Sequence, residues 1–164
     1  MISKKLKNEL KMKKDFERPE QEVIVSILRA SDFIQYRLGQ FFRQYGLTHP
    51  QYNILRILRG AGEPLPILEI ANRLVSMVPG ITGLIDKLEQ RELVARHRCE
   101  QDRRVWYVSL TKKGMALVNE LDAPNAELDK QLAGHFTATE CKQLVKLLDK
   151  ARDLPGDHPI PNAP

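Results

Sequence analysis

The residues best placed to do chemistry in this chain are Asp102, Arg103 and Arg104, at the tip of the stretch Val94–Gly114. Two short alternating runs flank that tip and predict a β-hairpin with a charged turn. A hairpin that holds paired guanidinium groups away from a small protein suits them to nucleic-acid phosphates or to a narrow minor groove. Arg103 and Arg104 are the candidates for groove insertion. Asp102 orients one of them through a charge-assisted hydrogen bond. Arg96, Arg98 and Lys112 supply charge towards the phosphate backbone. In the returning run, Trp106 alternates with Val108 and Leu110, which predicts a core position beneath the hairpin, while Tyr107 points to the other face.

The charge distribution favours a polyanionic partner. The chain of 164 residues has net charge +5 and an isoelectric point near 9.3. Seven Lys/Arg against three Asp/Glu fall between Arg91 and Lys113, so the local excess there is four (7 − 3). A solvated basic face is the plain competing account, and ion pairs on such a face are worth only about 0–1 kcal/mol each. Hydrophobic residues at 42% and charged residues at 29% describe a soluble globular domain. Charges interrupt every apolar segment, which predicts no membrane span and a cytoplasmic location. Cys99 and Cys141 make neither a disulfide framework nor a zinc set. No nucleophile elbow, phosphate loop or paired-carboxylate arrangement motivates catalysis, so no enzyme activity, metal or cofactor is expected.

The elements that position the hairpin follow from periodicity. Residues 1–19 form a lysine-rich arm, either mobile or a frayed helix start. Apolar residues from Val23 to Tyr45 recur at three- and four-residue steps and predict a long amphipathic helix ending at Gly46. Thr48 and Gln51 have capping-box spacing and open a second helix, which Gly60-Ala61-Gly62 ends. Pro64 and Pro66 lead into a short third helix around Ile67–Leu74. Pro79 starts a fourth, carrying Ile81, Leu84, Ile85 and Leu88. After the hairpin, Thr111 caps a fifth helix, which Pro124 is expected to kink, and Thr137 with Glu140 caps a sixth. Residues 153–164 hold four prolines and are expected to be disordered. The fold class is therefore mainly α with a small β-hairpin wing, a winged helix-turn-helix inside a helical frame.

At these residues the chain resembles the MarR family of bacterial transcription regulators. Asp102-Arg103-Arg104-Val105 followed by Leu110-Thr111-Lys112-Lys113-Gly114 is similar to that family's wing, and Pro79–Glu89 followed by Leu93-Val94 to its recognition helix and exit. Glu92 stands where the family ends that helix with glycine, and Gly83 where a long polar residue is common. On this resemblance the fourth helix enters the major groove. Pro79 and Gly80 permit close approach, Thr82 meets a base edge, Gly83 lies beside it, and Lys87 reaches a phosphate.

The domain organisation expected is a winged domain over 48–113 and a dimerisation region over 20–47 and 114–152. Its apolar stripes are too wide for one chain to cover. A homodimer would match a pseudo-palindromic operator in double-stranded DNA. The resemblance further implies a repressor relieved by a small aromatic or lipophilic effector, in a cleft that Tyr36, Gln40, Tyr45, His49 and Tyr52 could line. Two other readings are a winged-helix protein-docking module and a redox regulator acting through Cys99, which neighbours His97 and Arg98.

Overall fold

The computed structural model describes residues 4–76, 79–99 and 104–153. Its elements run in the order α1 (Lys4–Glu9), α2 (Pro19–Arg43), α3 (His49–Ala61), β1 (Leu65–Pro66), α4 (Ile67–Arg73), α5 (Ile81–Gln90), β2 (Val94–Arg98), β3 (Trp106–Leu110), α6 (Lys112–Ala133) and α7 (Ala138–Arg152). The chain divides into two compact units, with the boundary between Glu120 and Leu121. Among the described residues no helix is long and apolar enough to cross a membrane.

In the first unit α3, α4 and α5 pack with a three-stranded antiparallel sheet of order β1-β3-β2. Ile54, Leu55, Ile70, Ile85, Leu88 and Val108 are fully enclosed and form the centre of the winged domain. The hairpin register pairs Val94 with Leu110 and Arg98 with Trp106. β1 has no counterpart in the sequence expectations. Its two residues pair Leu65 with Val108 and Pro66 with Tyr107, and two residues are too few to show a period. Proline is tolerated there because β1 is an edge strand.

The caps formed as their spacings predicted. Thr48 accepts from the Gln51 N–H while the Gln51 side chain accepts from the Thr48 N–H (2.9 Å). In the second unit Thr137 and Glu140 do the same, with the Thr137 N–H donating to Glu140 at 2.8 Å. Those bonds from Thr137 hold the Glu140 carboxyl below the ordinary glutamate range. α6 runs through Pro124 as one helix.

The N-terminal arm contains more structure than a frayed start. Leu6 is buried, Glu9 lies 3.6 Å from Arg29 of α2, and the Lys7 ammonium reaches Asp15. α2 itself buries only Phe42 along its 25 residues. Val23, Ile24, Leu28 and Phe33 are each more than half exposed on it. α7 buries no residue at all and presents Val145 and Leu147.

Candidate nucleic-acid interface

The helix expected to read DNA, the fourth in the sequence reading, is α5. It begins at Ile81, two residues later than Pro79, because Gly80 takes a left-handed conformation (φ 77°) as its N-cap. A side chain at Gly80 would strain that turn. Ile85 and Leu88 bury one face of α5. Pro79, Gly80, Thr82, Gly83 and Lys87 are all exposed. The first turn of α5 therefore offers the small side chain of Thr82 and the backbone of Gly83 to the outside.

Arg96 departs from its expected role. Its guanidinium lies 2.8 Å from Asp86 and its Nε donates to Glu89 at 2.8 Å, while its backbone N–H donates to the same Glu89 carboxylate at 3.2 Å. Asp86 and Glu89 stand one turn apart on α5, so a single strand residue clamps the wing to the helix. The Arg96 hydrogen bonds hold the Glu89 carboxyl below the ordinary range. Arg96 thus braces the wing against α5, and its charge is already engaged by two carboxylates.

Arg98 and Trp106 face each other at the outer end of the hairpin. The guanidinium carbon sits 4.9 Å from the indole ring centre. Trp106 is 38% exposed, which corrects the expectation that it lies in the core beneath the wing. It does share a face with enclosed Val108, but the strand has passed the edge of the core by that point. On the opposite face His97 and Tyr107 stack at 6.0 Å. Cys99 is half-buried, and its N–H donates to the Val105 carbonyl at 3.0 Å, closing the hairpin. Arg104 and Lys112 are exposed. Asp102 and Arg103, the other two residues of the predicted tip, lie outside the described residues.

The exit of α5 is fixed by backbone caps. Leu93 N–H donates to the Leu88 carbonyl at 3.0 Å and Glu92 N–H to the Glu89 carbonyl at 2.8 Å, a Schellman closure. Glu92 occupies its left-handed position (φ 61°), where glycine was expected. Lys113 meets the Glu92 carboxylate at 2.9 Å and the Thr111 hydroxyl donates to the Glu92 carbonyl at 2.7 Å, so bonds on both sides hold the residue in place. Arg91, just before it, donates to the carbonyls of Gly46 and Tyr45 (3.2 Å to the latter). Those carbonyls follow the C-terminus of α2, where a cation is electrostatically favoured. Gly114 lies in the first turn of α6, and a β-carbon there would sit 2.1 Å from the Leu93 carbonyl oxygen.

The arrangement of helices around a small three-stranded sheet has counterparts among known proteins. The MarR family profile matches residues 47–106, and the homoprotocatechuate degradative operon repressor of Escherichia coli is 30% identical over 142 residues, 82% of this chain and 95% of that protein. The chain belongs to the MarR family. It is a DNA-binding transcription regulator. Among solved structures, a MarR transcription factor from Planctomyces limnophilus is similar at TM-score 0.65 and 35% identity, over 82% of this chain and 98% of that one. BpsR of Bordetella bronchiseptica is similar at TM-score 0.70 and 26% identity, over 80% and 99%. The BpsR structure concerns regulation of its DNA binding by 6-hydroxynicotinic acid.

The residues that the MarR resemblance offered for an effector cleft fall into two groups. His49 and Tyr52 both stack on Phe42, at 5.5 and 4.3 Å between ring centres, and Tyr45 packs on Phe41 at 5.3 Å. Tyr52 is only 2% exposed and serves as core. Burial pushes the His49 pKa down, so its imidazole is neutral near pH 7. Tyr36 and Gln40 stand apart from this cluster, exposed higher on α2. Sequence reasoning missed Arg91, Asp86 and Glu89 as parts of this MarR-family site. The one available signal was the spacing of two carboxylates three residues apart on α5, and surface charge accounts for that equally well. Among the described residues no His/Cys/Asp/Glu group has the geometry to hold a metal.

Proposed function

We propose that this regulator is a homodimeric repressor that reads a pseudo-palindromic operator. On this reading α5 enters the major groove by its N-terminal turn and the wing lays Arg103 and Arg104 towards the adjacent minor groove. The observation that carries the reading is the clamp from Arg96 to Asp86 and Glu89, since it makes helix and wing one rigid reading unit. Lys87, Arg98 and Lys112 would neutralise phosphates. The exposed apolar residues of α2 and α7 support a second copy of the chain as their cover, because monomers seldom leave such faces open to water. The aromatic cluster of Phe42, His49 and Tyr52 supports an aromatic effector binding beside it, as the BpsR comparison suggests. Such a ligand weakens operator binding to the extent that it prefers the dimer conformation with mismatched helix spacing.

The test is an anisotropy titration with a duplex selected from random sequence by the wild-type protein. Replacing Arg103 and Arg104 together by alanine should flatten the dependence of log K on log salt by about 1.8, or 0.9 for each lost phosphate-type contact. An unchanged slope would remove the wing from the interface. A duplex-independent signal would remove DNA recognition itself.

A further inference from the structure

The outer end of the wing carries a cation–aromatic pair that the reading above leaves unexplained. Arg98 and Trp106 are directly opposed across the hairpin and lie on the same face as Arg96, which is turned towards α5. The two arginines are treated differently. Arg96 is taken up by two carboxylates, whereas no carboxylate lies within ion-pairing distance of Arg98 among the described residues, and its guanidinium rests over the indole. A guanidinium held over a ring face keeps the N–H donors of its own plane available for a phosphate. An unsupported arginine at the same exposed place would have to give up its side-chain freedom on binding.

The geometry points to Trp106 as a positioning residue for DNA binding: its indole holds the Arg98 guanidinium at the outer end of the wing, ready to clamp an operator phosphate. This rests on the DNA-reading unit proposed above. It assigns contact to Arg98 and preorganisation to Trp106, which itself need not touch the duplex. The chain has a single tryptophan, so the platform also reports on itself through its emission.

The experiment is a double-mutant cycle on the full-length protein, using the same selected duplex at several salt concentrations, with melting temperature measured for every variant. Arg98→Ala should lower the slope of log K against log salt by about 0.9. Trp106→Ala should weaken binding about two- to fivefold, the size of an exposed cation–π contact, and leave the slope in place. Trp106→Phe should restore most of the loss. Trp106→Leu, which keeps apolar bulk without a ring, should not, and it serves if the alanine variant folds poorly. In the Arg98→Ala background Trp106→Ala should have no further effect on affinity.

Equal binding by Trp106→Ala and wild type overturns the inference. So does a Trp106 effect that persists without Arg98, since the ring would then act directly or through stability. These results leave the Arg103 and Arg104 dependence standing. Failure of the wild type to bind any duplex removes the DNA reading and this inference together.

Discussion

Gly114→Ala tests whether the winged domain depends on one backbone contact between α6 and the exit of α5. The new β-carbon would stand 2.1 Å from the Leu93 carbonyl oxygen and 2.9 Å from Cδ1 of Leu110. An ordinary contact requires a separation about 1 Å larger than the first of these. The carbonyl cannot move alone. It accepts the Thr111 N–H at 3.2 Å, and the N–H of the same residue donates to Leu88 at 3.0 Å to close α5. Forcing a side chain into a packed site costs about 1–3 kcal/mol, and loosening the Thr111 bond adds about 1 kcal/mol. Alanine recovers about 0.5–1 kcal/mol of helix propensity. The net loss is about 2 kcal/mol, and at about 2–4 °C per kcal/mol the melting temperature should fall by about 4–8 °C. Urea unfolding followed by circular dichroism measures it. The strain falls on the segment that ends α5, so operator affinity should fall as well. A variant as stable as wild type would refute the contact, since propensity alone predicts a gain.

Arg96→Gln should release the wing from α5 and weaken operator binding about tenfold, while the oligomeric state in sedimentation stays the same; an unchanged affinity would contradict the clamp. Ile24→Asp combined with Leu28→Asp should convert the dimer to an 18.8 kDa species at micromolar concentration, and a persisting dimer would place the interface elsewhere. Burial depresses the His49 pKa below the ordinary histidine value of 6.5, so the unfolded chain binds a proton that the folded chain resists. Stability is therefore complete above pH 6.5 and declines as the pH falls below it. His49→Asn should flatten that part of the pH profile, and an identical decline in the variant would assign the acid sensitivity to other groups.

The parts of this fold legible in the sequence are those decided within a few residues. Thr48 with Gln51 and Thr137 with Glu140 announced their helices because a cap is a bond across three positions. Strand alternation placed Trp106 on the Val108 face correctly, yet it could not say where along that face the core ends. The exposure of Trp106 depends on how far the enclosed core reaches along β3 from Val108, which is a tertiary distance. Arg96 was recognisable as a cation and its two partners as carboxylates. Their meeting required the chain to leave α5, turn at Glu92 and pass back across it. β1 exists only because β3 offers it a ladder.

Arg91 has a consequence for cooperativity. The carbonyls that follow α2 are satisfied by a side chain 45 and 46 positions further along the chain. If α5 undocks, that helix end loses its donors, and if the helix end frays, Arg91 loses its acceptors. Neither can open at low cost while the other stays closed. Amides near Tyr45–Leu47 and those closing α5 near Glu92 and Leu93 should therefore exchange with solvent as one unit, although they are distant in sequence. A single guanidinium therefore joins the stability of the exposed end of α2 to that of α5.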